Sequence, residues 1–230
     1  DYKQVANAIK TLVVRGAPAI GVSGAFGLAL ATLQSNASTK EEMINDLNSA
    51  KNILFETRPT AVNLAWGLEK IMEVARSCKD AEEIKKTVIE TAKQMAEDDI
   101  KINMIMGKNG SKLIDNDDTV LTHCNAGWLA TVDWGTALSP IFKANNNNIP
   151  IHVWVDETRP RNQGFNLTAW ELINENIPNS LIVDNVGGHL MQKGMVDVCI
   201  TGTDRTTLNG DVCNKIGTYL KALAAFDNNI

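Results

Sequence analysis

The sequence has little of what several protein classes require. Its 230 residues include four cysteines, Cys78, Cys124, Cys199 and Cys213, and no two form a CxxC pair. No secretory signal opens the sequence, so reduced thiols and a cytoplasmic protein are expected rather than a disulfide scaffold. There are only three histidines, His123, His152 and His189. His123 and Cys124 adjoin in a stretch that reads as a strand, where neighbours face opposite sides. They do not easily share one ion, and no metal site is expected. No apolar run reaches the ~18 residues of a membrane span. The longest, residues 17–33, is glycine-rich and contains Ser23 and Thr32, so it reads as a buried helix, and no membrane partner is expected. The dinucleotide fingerprint GxGxxG is absent. Lys and Arg number 22 against 27 Asp and Glu, a formal charge of −5 that argues against a dedicated nucleic-acid binder.

What is present is ordinary globular composition, 44% apolar and 21% charged, over a length suited to one or two domains. The first half has the period of helices. They are expected over residues 1–14, over 19–33 after Pro18, from a Ser38-Thr39 capping box to about Glu56, over 60–77, and from Asp80 to Met106. Gly21, Gly24 and Gly27, spaced by three, suggest close helix packing. The polar stretch Asn116-Asp117-Asp118 is the expected domain boundary, giving a helical domain at 1–115 and a second domain at 116–230.

Beyond it, short β-rich runs (119–123, 151–156, 181–183 and 198–201) alternate with helical stretches (128–143, 168–174, 189–193 and 212–225). That alternation predicts an α/β domain with a mostly parallel sheet joined by crossovers. Ligands of such sheets sit beyond the carboxyl ends of the strands. This points to His123-Cys124-Asn125, Glu157-Thr158-Arg159 and Thr203-Asp204-Arg205. Cys124 is there either a reactive thiol or a small core residue; the other cysteines read as structural. Arg15-Gly16-Ala17-Pro18 and Arg58-Pro59-Thr60 each place a guanidinium beside a helix start, a combination that suits a phosphate. Lys215 lies early in the last helical stretch.

Several segments resemble the 5-methylthioribose-1-phosphate isomerase family. They are VRGAPAIG (14–21), TRPTAVNL (57–64), THCNAG (122–127), DETRPRNQG (156–164), LTAWEL (167–172), GTDR (202–205) and NGDVCNKIGTY (209–219). Ribose-1,5-bisphosphate isomerase and the regulatory subunits of the translation-initiation guanine-nucleotide exchange factor are similar in fold. The resemblance implies a small helical domain before a Rossmann-like domain, and a homodimer without cofactor acting on a small sugar phosphate. It also implies roles. Arg15, Gly16, Ala17, Arg58, Gln163, Asn214 and Lys215 bind substrate, Asp204 donates a proton, and Cys124 is the base or stabilises the transition state. The regulatory subunits generally lack that Cys and Asp. The sequence departs from the family pattern at Trp128, near Asp133-Trp134, at Thr203 and near Gly187-Gly188. A non-catalytic regulatory subunit is the alternative expectation. The apolar run 196–201 reads as a central parallel strand, and a further C-terminal segment is expected to complete the sheet.

Overall fold

The computed structural model describes residues 1–230. The chain divides into two compact units, Asp1–Lys101 and Ile102–Ile230. The first holds α1 (Tyr2–Lys10), α2 (Ala17–Gln34), α3 (Lys40–Phe55), α4 (Val62–Ser77) and most of α5 (Ala81–Gly110), within which the division falls. α1 stops earlier than the apolar pattern suggested, because Leu12 takes a left-handed φ of 63°. α3 begins with the expected box. The Thr39 hydroxyl accepts from the Glu42 amide at 3.2 Å, and the Glu42 carboxylate accepts from the Thr39 amide at 3.1 Å. Hydrogen bonds from the Ser38 and Thr39 amides hold the Glu42 carboxyl below its ordinary pKa.

α2 is long and apolar enough to cross a membrane by length and composition alone. Its apolar surface is taken up instead by neighbouring helices. Ala25 and Leu28 share one core with Ile9 of α1, Leu47 and Leu54 of α3, and Leu64 and Leu68 of α4. An all-round apolar helix needs such cover. The approach of α2 to α4 is set by glycine. A Cβ on Gly67 would lie 2.3 Å from the Gly21 carbonyl oxygen, and one on Gly21 would lie 2.9 Å from the Asn63 carbonyl oxygen. Backbone meets backbone there, and no side chain fits between.

The second unit contains β1 (Thr119–His123), α6 (Ser139–Asn146), β2 (His152–Asp156), α7 (Trp170–Asn174), β3 (Asn179–Ile182), α8 (Gly187–Gln192), β4 (Val198–Ile200), a hairpin of β5 (Arg205–Thr206) and β6 (Val212–Cys213), and α9 (Thr218–Asp227). β3, β2, β1 and β4 form one parallel sheet in that order. Side chains alternate across it. Val120, Val153 and Val155 pack with Ile141 and Phe142 of α6 and Leu172 of α7. Leu121 faces the other way, onto Met191 of α8 and Ala225 of α9. Helices on both faces of a parallel sheet make the fold α/β and Rossmann-like.

Two local expectations fail. Residues 128–143 are not one helix. A 3-10 turn at Trp128–Ala130 is followed by irregular chain before α6, and within that chain Trp134 and Gly135 have positive φ. Residues 212–225 open as β6 before α9, with Gly217 at φ 101° dividing them. The run 196–201 contains β4, which stands at one end of the sheet's order within residues 1–230. β4 hydrogen-bonds to β1 alone and is half-buried. It is apolar because both its faces are covered, Cys199 by the Leu121 cluster and Val198 and Ile200 by the Val120 cluster. Covered faces carry no information about the strand's hydrogen-bonding edges.

Gly67→Ala should force the α2 and α4 backbones apart. The expected loss is about 1–3 kcal/mol, or roughly 2–4 °C of melting temperature per kcal/mol for a chain of this size. Thermal melting by circular dichroism checks it, and an unchanged melting temperature counts against the contact.

Candidate active site

From β1 the chain runs outward to β2 and β3, then returns to β4 on the other side of β1. The crevice at the carboxyl ends of β1 and β4 is therefore the switch point of the sheet, where ligands of such folds bind. Cys124 is the first residue beyond β1 and adopts φ 68°, a left-handed conformation that non-glycine residues rarely take. Its backbone is held on both sides. The Cys124 amide donates to the Thr158 hydroxyl at 2.8 Å, and that hydroxyl donates to the Asp156 carbonyl at 3.2 Å. The Thr168 hydroxyl donates to the Cys124 carbonyl at 2.6 Å. Thr158 and Thr168 are both buried.

The loop after Cys124 closes on one carboxylate. Glu171, fully buried in α7, accepts from the Asn125 side-chain amide at 3.0 Å, the Trp128 backbone amide at 3.0 Å and the Leu129 backbone amide at 3.1 Å. A Cβ on Gly127 would fall 1.6 Å from Glu171 Oε2, so only glycine passes there. The loop after β2 is pinned in the same manner. Glu157 Oε1 accepts from the amides of Thr158, Gly164 and Phe165 at 2.7, 3.0 and 3.3 Å. This loop carries the buried Gln163. Its Arg159 is exposed and bonded to Asn162 Oδ1 at 3.1 Å.

The remaining expected residues of this unit follow β4. Thr122 of β1 is in register with Ile200, and Gly202 lies against Ala126 beyond Cys124. Asp204 then enters the hairpin, its amide donating to the Cys213 carbonyl at 2.9 Å. Its side chain is exposed. Asn214 and Lys215 are half-buried, and the Asn214 side-chain amide donates to the Thr218 hydroxyl at 3.0 Å. His123, next to Cys124, hydrogen-bonds the Ile216 carbonyl through Nε2 at 2.8 Å. That bond brings the Cys124 turn and the Asn214–Lys215 turn together. The second unit thus gathers Cys124, Gln163, Asp204, Asn214 and Lys215 at one rim.

Arg15, Gly16, Ala17 and Arg58 belong to the first unit. Gly16, at φ 92°, is the N-cap of α2, and Ala17 is its first residue. Arg58 lies between α3 and α4. Neither α2 nor α4 has a side-chain cap, so their first backbone amides are left to other acceptors. The two helix starts adjoin, because Gly21 touches Asn63. The unit therefore assembles its two arginine-bearing turns beside neighbouring helix N-termini.

Thr158 stands among the residues marked beyond β2 in the sequence, and Thr168 and Glu171 lie within the LTAWEL segment, but nothing in their spacing gives any of the three a supporting role. Cys213 lies exposed in β6 rather than at a helix start. Cys199 points into the α9 side of the sheet, where burial foremost, and then the Asp156 charge, pushes its thiol up to about 11; Lys221 opposes this. Cys199 is thus an inert thiol at neutral pH.

A thiol in a left-handed backbone turn at the switch point of a Rossmann-like sheet, in a chain that also carries a helical unit, defines an α/β protein with a candidate ligand site at the sheet's carboxyl end. Residues 13–230 match the model of the Initiation factor 2 subunit family, and the chain belongs to that family. It is 52% identical over 237 residues to methylthioribose-1-phosphate isomerase of Paramagnetospirillum magneticum, covering all of this chain and 64% of that protein. It therefore spans less than two thirds of that relative's length. Among solved structures it resembles 5-methylthioribose 1-phosphate isomerase from Pyrococcus horikoshii, with TM-score 0.93, 42% identity and coverage of 100% of this chain and 65% of that one. It also resembles the translation initiation factor eIF-2B subunit delta from A. fulgidus, with TM-score 0.90, 45% identity and coverage of 100% and 67%.

Glu171→Gln is the sharpest probe of this rim. An amide NH₂ would replace one of two oxygens that now face only donors, leaving a buried N–H unpaired. The expected loss is about 1–3 kcal/mol, read as a lower midpoint in urea unfolding; an unaltered midpoint would remove Glu171 from its clamping role.

Proposed function

We propose that the protein containing this chain is a sugar-phosphate isomerase that converts 5-methylthioribose 1-phosphate to 5-methylthioribulose 1-phosphate. One observation carries the reading. Cys124 is a thiol held in a left-handed backbone turn at the sheet's switch point, in a chain half identical to proteins named for that reaction. The reading includes a cytoplasmic homodimer that uses no metal or organic cofactor, with residues 116–230 as the catalytic domain.

The chemistry follows from the substrate. Its anomeric oxygen carries phosphate, so the ring cannot open to a free aldehyde. An acid protonates the ring oxygen while a base takes the proton from C2, giving a phosphate-bearing enol; the alternative is hydride movement between the two carbons. Asp204 is the acid and Cys124 the base or the group that stabilises the transition state. Because Asp204 is exposed, bound substrate has to displace water from it. Arg15, Gly16, Ala17, Arg58, Gln163, Asn214 and Lys215 grip the substrate, the cations and helix N-termini favouring its phosphate.

The likeness to the eIF-2B delta subunit favours a second reading, a regulatory subunit that binds without turnover. Incubation of the full-length protein with 5-methylthioribose 1-phosphate, with detection of the ketose, separates the two. Cys124→Ser and Asp204→Asn are nearly isosteric and should each abolish turnover while keeping the fold. Arg58→Ala and Lys215→Ala should raise KM about ten- to a hundredfold, the weight of one charged hydrogen bond. Wild-type kcat in either of the first pair would sink the assigned chemistry.

A further inference from the structure

Beneath the rim lies a buried polar cluster that the proposed chemistry does not use. His123, Asp156 and Lys221 are all buried, at 3%, 0% and 3% exposure. Asp156 Oδ2 lies 2.6 Å from His123 Nδ1 and 2.6 Å from Lys221 Nζ. The Lys221 ammonium also donates to the Asp184 carbonyl. Asp156 Oδ1 is buried without a partner, so the single oxygen Oδ2 serves both the ring and the ammonium. On its far side the ring reaches Ile216. A carbonyl only accepts, so Nε2 carries the hydrogen in that 2.8 Å bond. The turn it holds is tight against it. Gly217, at φ 101°, leaves no room for a side chain, since a Cβ there would lie 2.9 Å from His123 Cε1 and Nε2.

The cluster therefore spans three elements. His123 ends β1, Asp156 ends β2 and Lys221 lies in the first turns of α9. Between the ring and α9 runs the turn Asn214–Gly217. Buried, fully directed hydrogen bonds of this kind fix geometry more than they add stability, because each partner was also bonded in water. Proximity effects are lost when a binding group moves by about 1 Å. We infer that His123 is a positioning residue: its bond to the Ile216 carbonyl sets where Asn214 and Lys215 stand, and Asp156, held by Lys221, sets the ring. The inference rests on the reading of Asn214 and Lys215 as the phosphate grip.

The two ring contacts are separable. A glutamine amide reaches about as far as Nε2, and an asparagine amide about as far as Nδ1. His123→Gln keeps a donor for Ile216 and loses the Asp156 contact. His123→Asn keeps a donor for Asp156 and loses Ile216. In the full-length protein, His123→Asn should raise KM for 5-methylthioribose 1-phosphate about ten- to a hundredfold, with a smaller change in kcat. His123→Gln should stay within a few-fold of wild-type KM, although it takes the ring's partner from a buried carboxylate and lowers the melting temperature more. A merely structural histidine gives the opposite order, with KM following stability. Gly217→Ala leaves the cluster's side chains intact and displaces the turn, so it should raise KM as His123→Asn does. It decides the matter if the histidine variants fail to fold. Unchanged KM in Gly217→Ala, or a KM order that tracks melting temperature, overturns the inference.

Failure of the functional reading is distinguishable. If wild-type protein turns over no 5-methylthioribose 1-phosphate, inorganic phosphate serves as the probe, read as the rise in melting temperature it confers. Protection kept in His123→Gln and weakened in His123→Asn and Gly217→Ala supports the inference. Equal protection in all variants, or none in the wild type, overturns it.

Discussion

The architecture at the rim depends on what the chain does in the two residues after Thr122. His123 turns its ring into the sheet's end and binds the carbonyl of a turn 93 residues away in sequence. Cys124 then reverses hand, with φ 68°. Left-handed backbone in a residue with a Cβ costs of order 1 kcal/mol or more, and it persists only where neighbours over-determine it. Here the amide and carbonyl of Cys124 are bound by two buried threonine hydroxyls, Thr158 from the loop after β2 and Thr168 from the turn before α7. Glu171 secures the following loop from α7.

Each of these supports comes from a different part of the chain, and parallel pairing is what brings them together. β1 is hydrogen-bonded on both edges, to β2 in register Thr122–Val155 and to β4 in register Thr122–Ile200. Three strand ends therefore finish level. A slip of one residue would invert which side chains face the helices, moving Val120 and Leu121 to the wrong clusters. The apolar alternation that builds the two helix-covered faces is thus the same constraint that aligns Cys124, Glu157 and the segment after Ile200. Stability and site geometry share one register.

The helical unit obeys a different constraint. Its packing rests on the absence of side chains at Gly21 and Gly67, which lets two helices touch through their backbones. This contact places the uncapped start of α4 against the first turns of α2. Arg15 and Arg58 precede those starts. The same close approach that seats an apolar helix in the core also sets two helix starts side by side.

Much of this was legible in the residues themselves. Helical period and a capping box located α2 to α5, and the change to short β-rich runs located the parallel sheet, because side-chain period is a local property of each element. Cys124 and Asp204 were marked by their places after strands, and Gln163, Asn214 and Lys215 by resemblance. The pairing of β4 with β1 rather than with β3 was hidden, since apolar faces report covering helices and not backbone partners. The break in 128–143 was hidden because its cause, the buried carboxylate of Glu171, lies more than forty residues on. His123 and Asp156 read separately as the ends of two strands, and Lys221 falls within the last helical stretch. Their union, and the exposure of Asp204, arise from contacts between distant segments. Local sequence determines which element a residue joins; only the folded register determines which polar atoms meet.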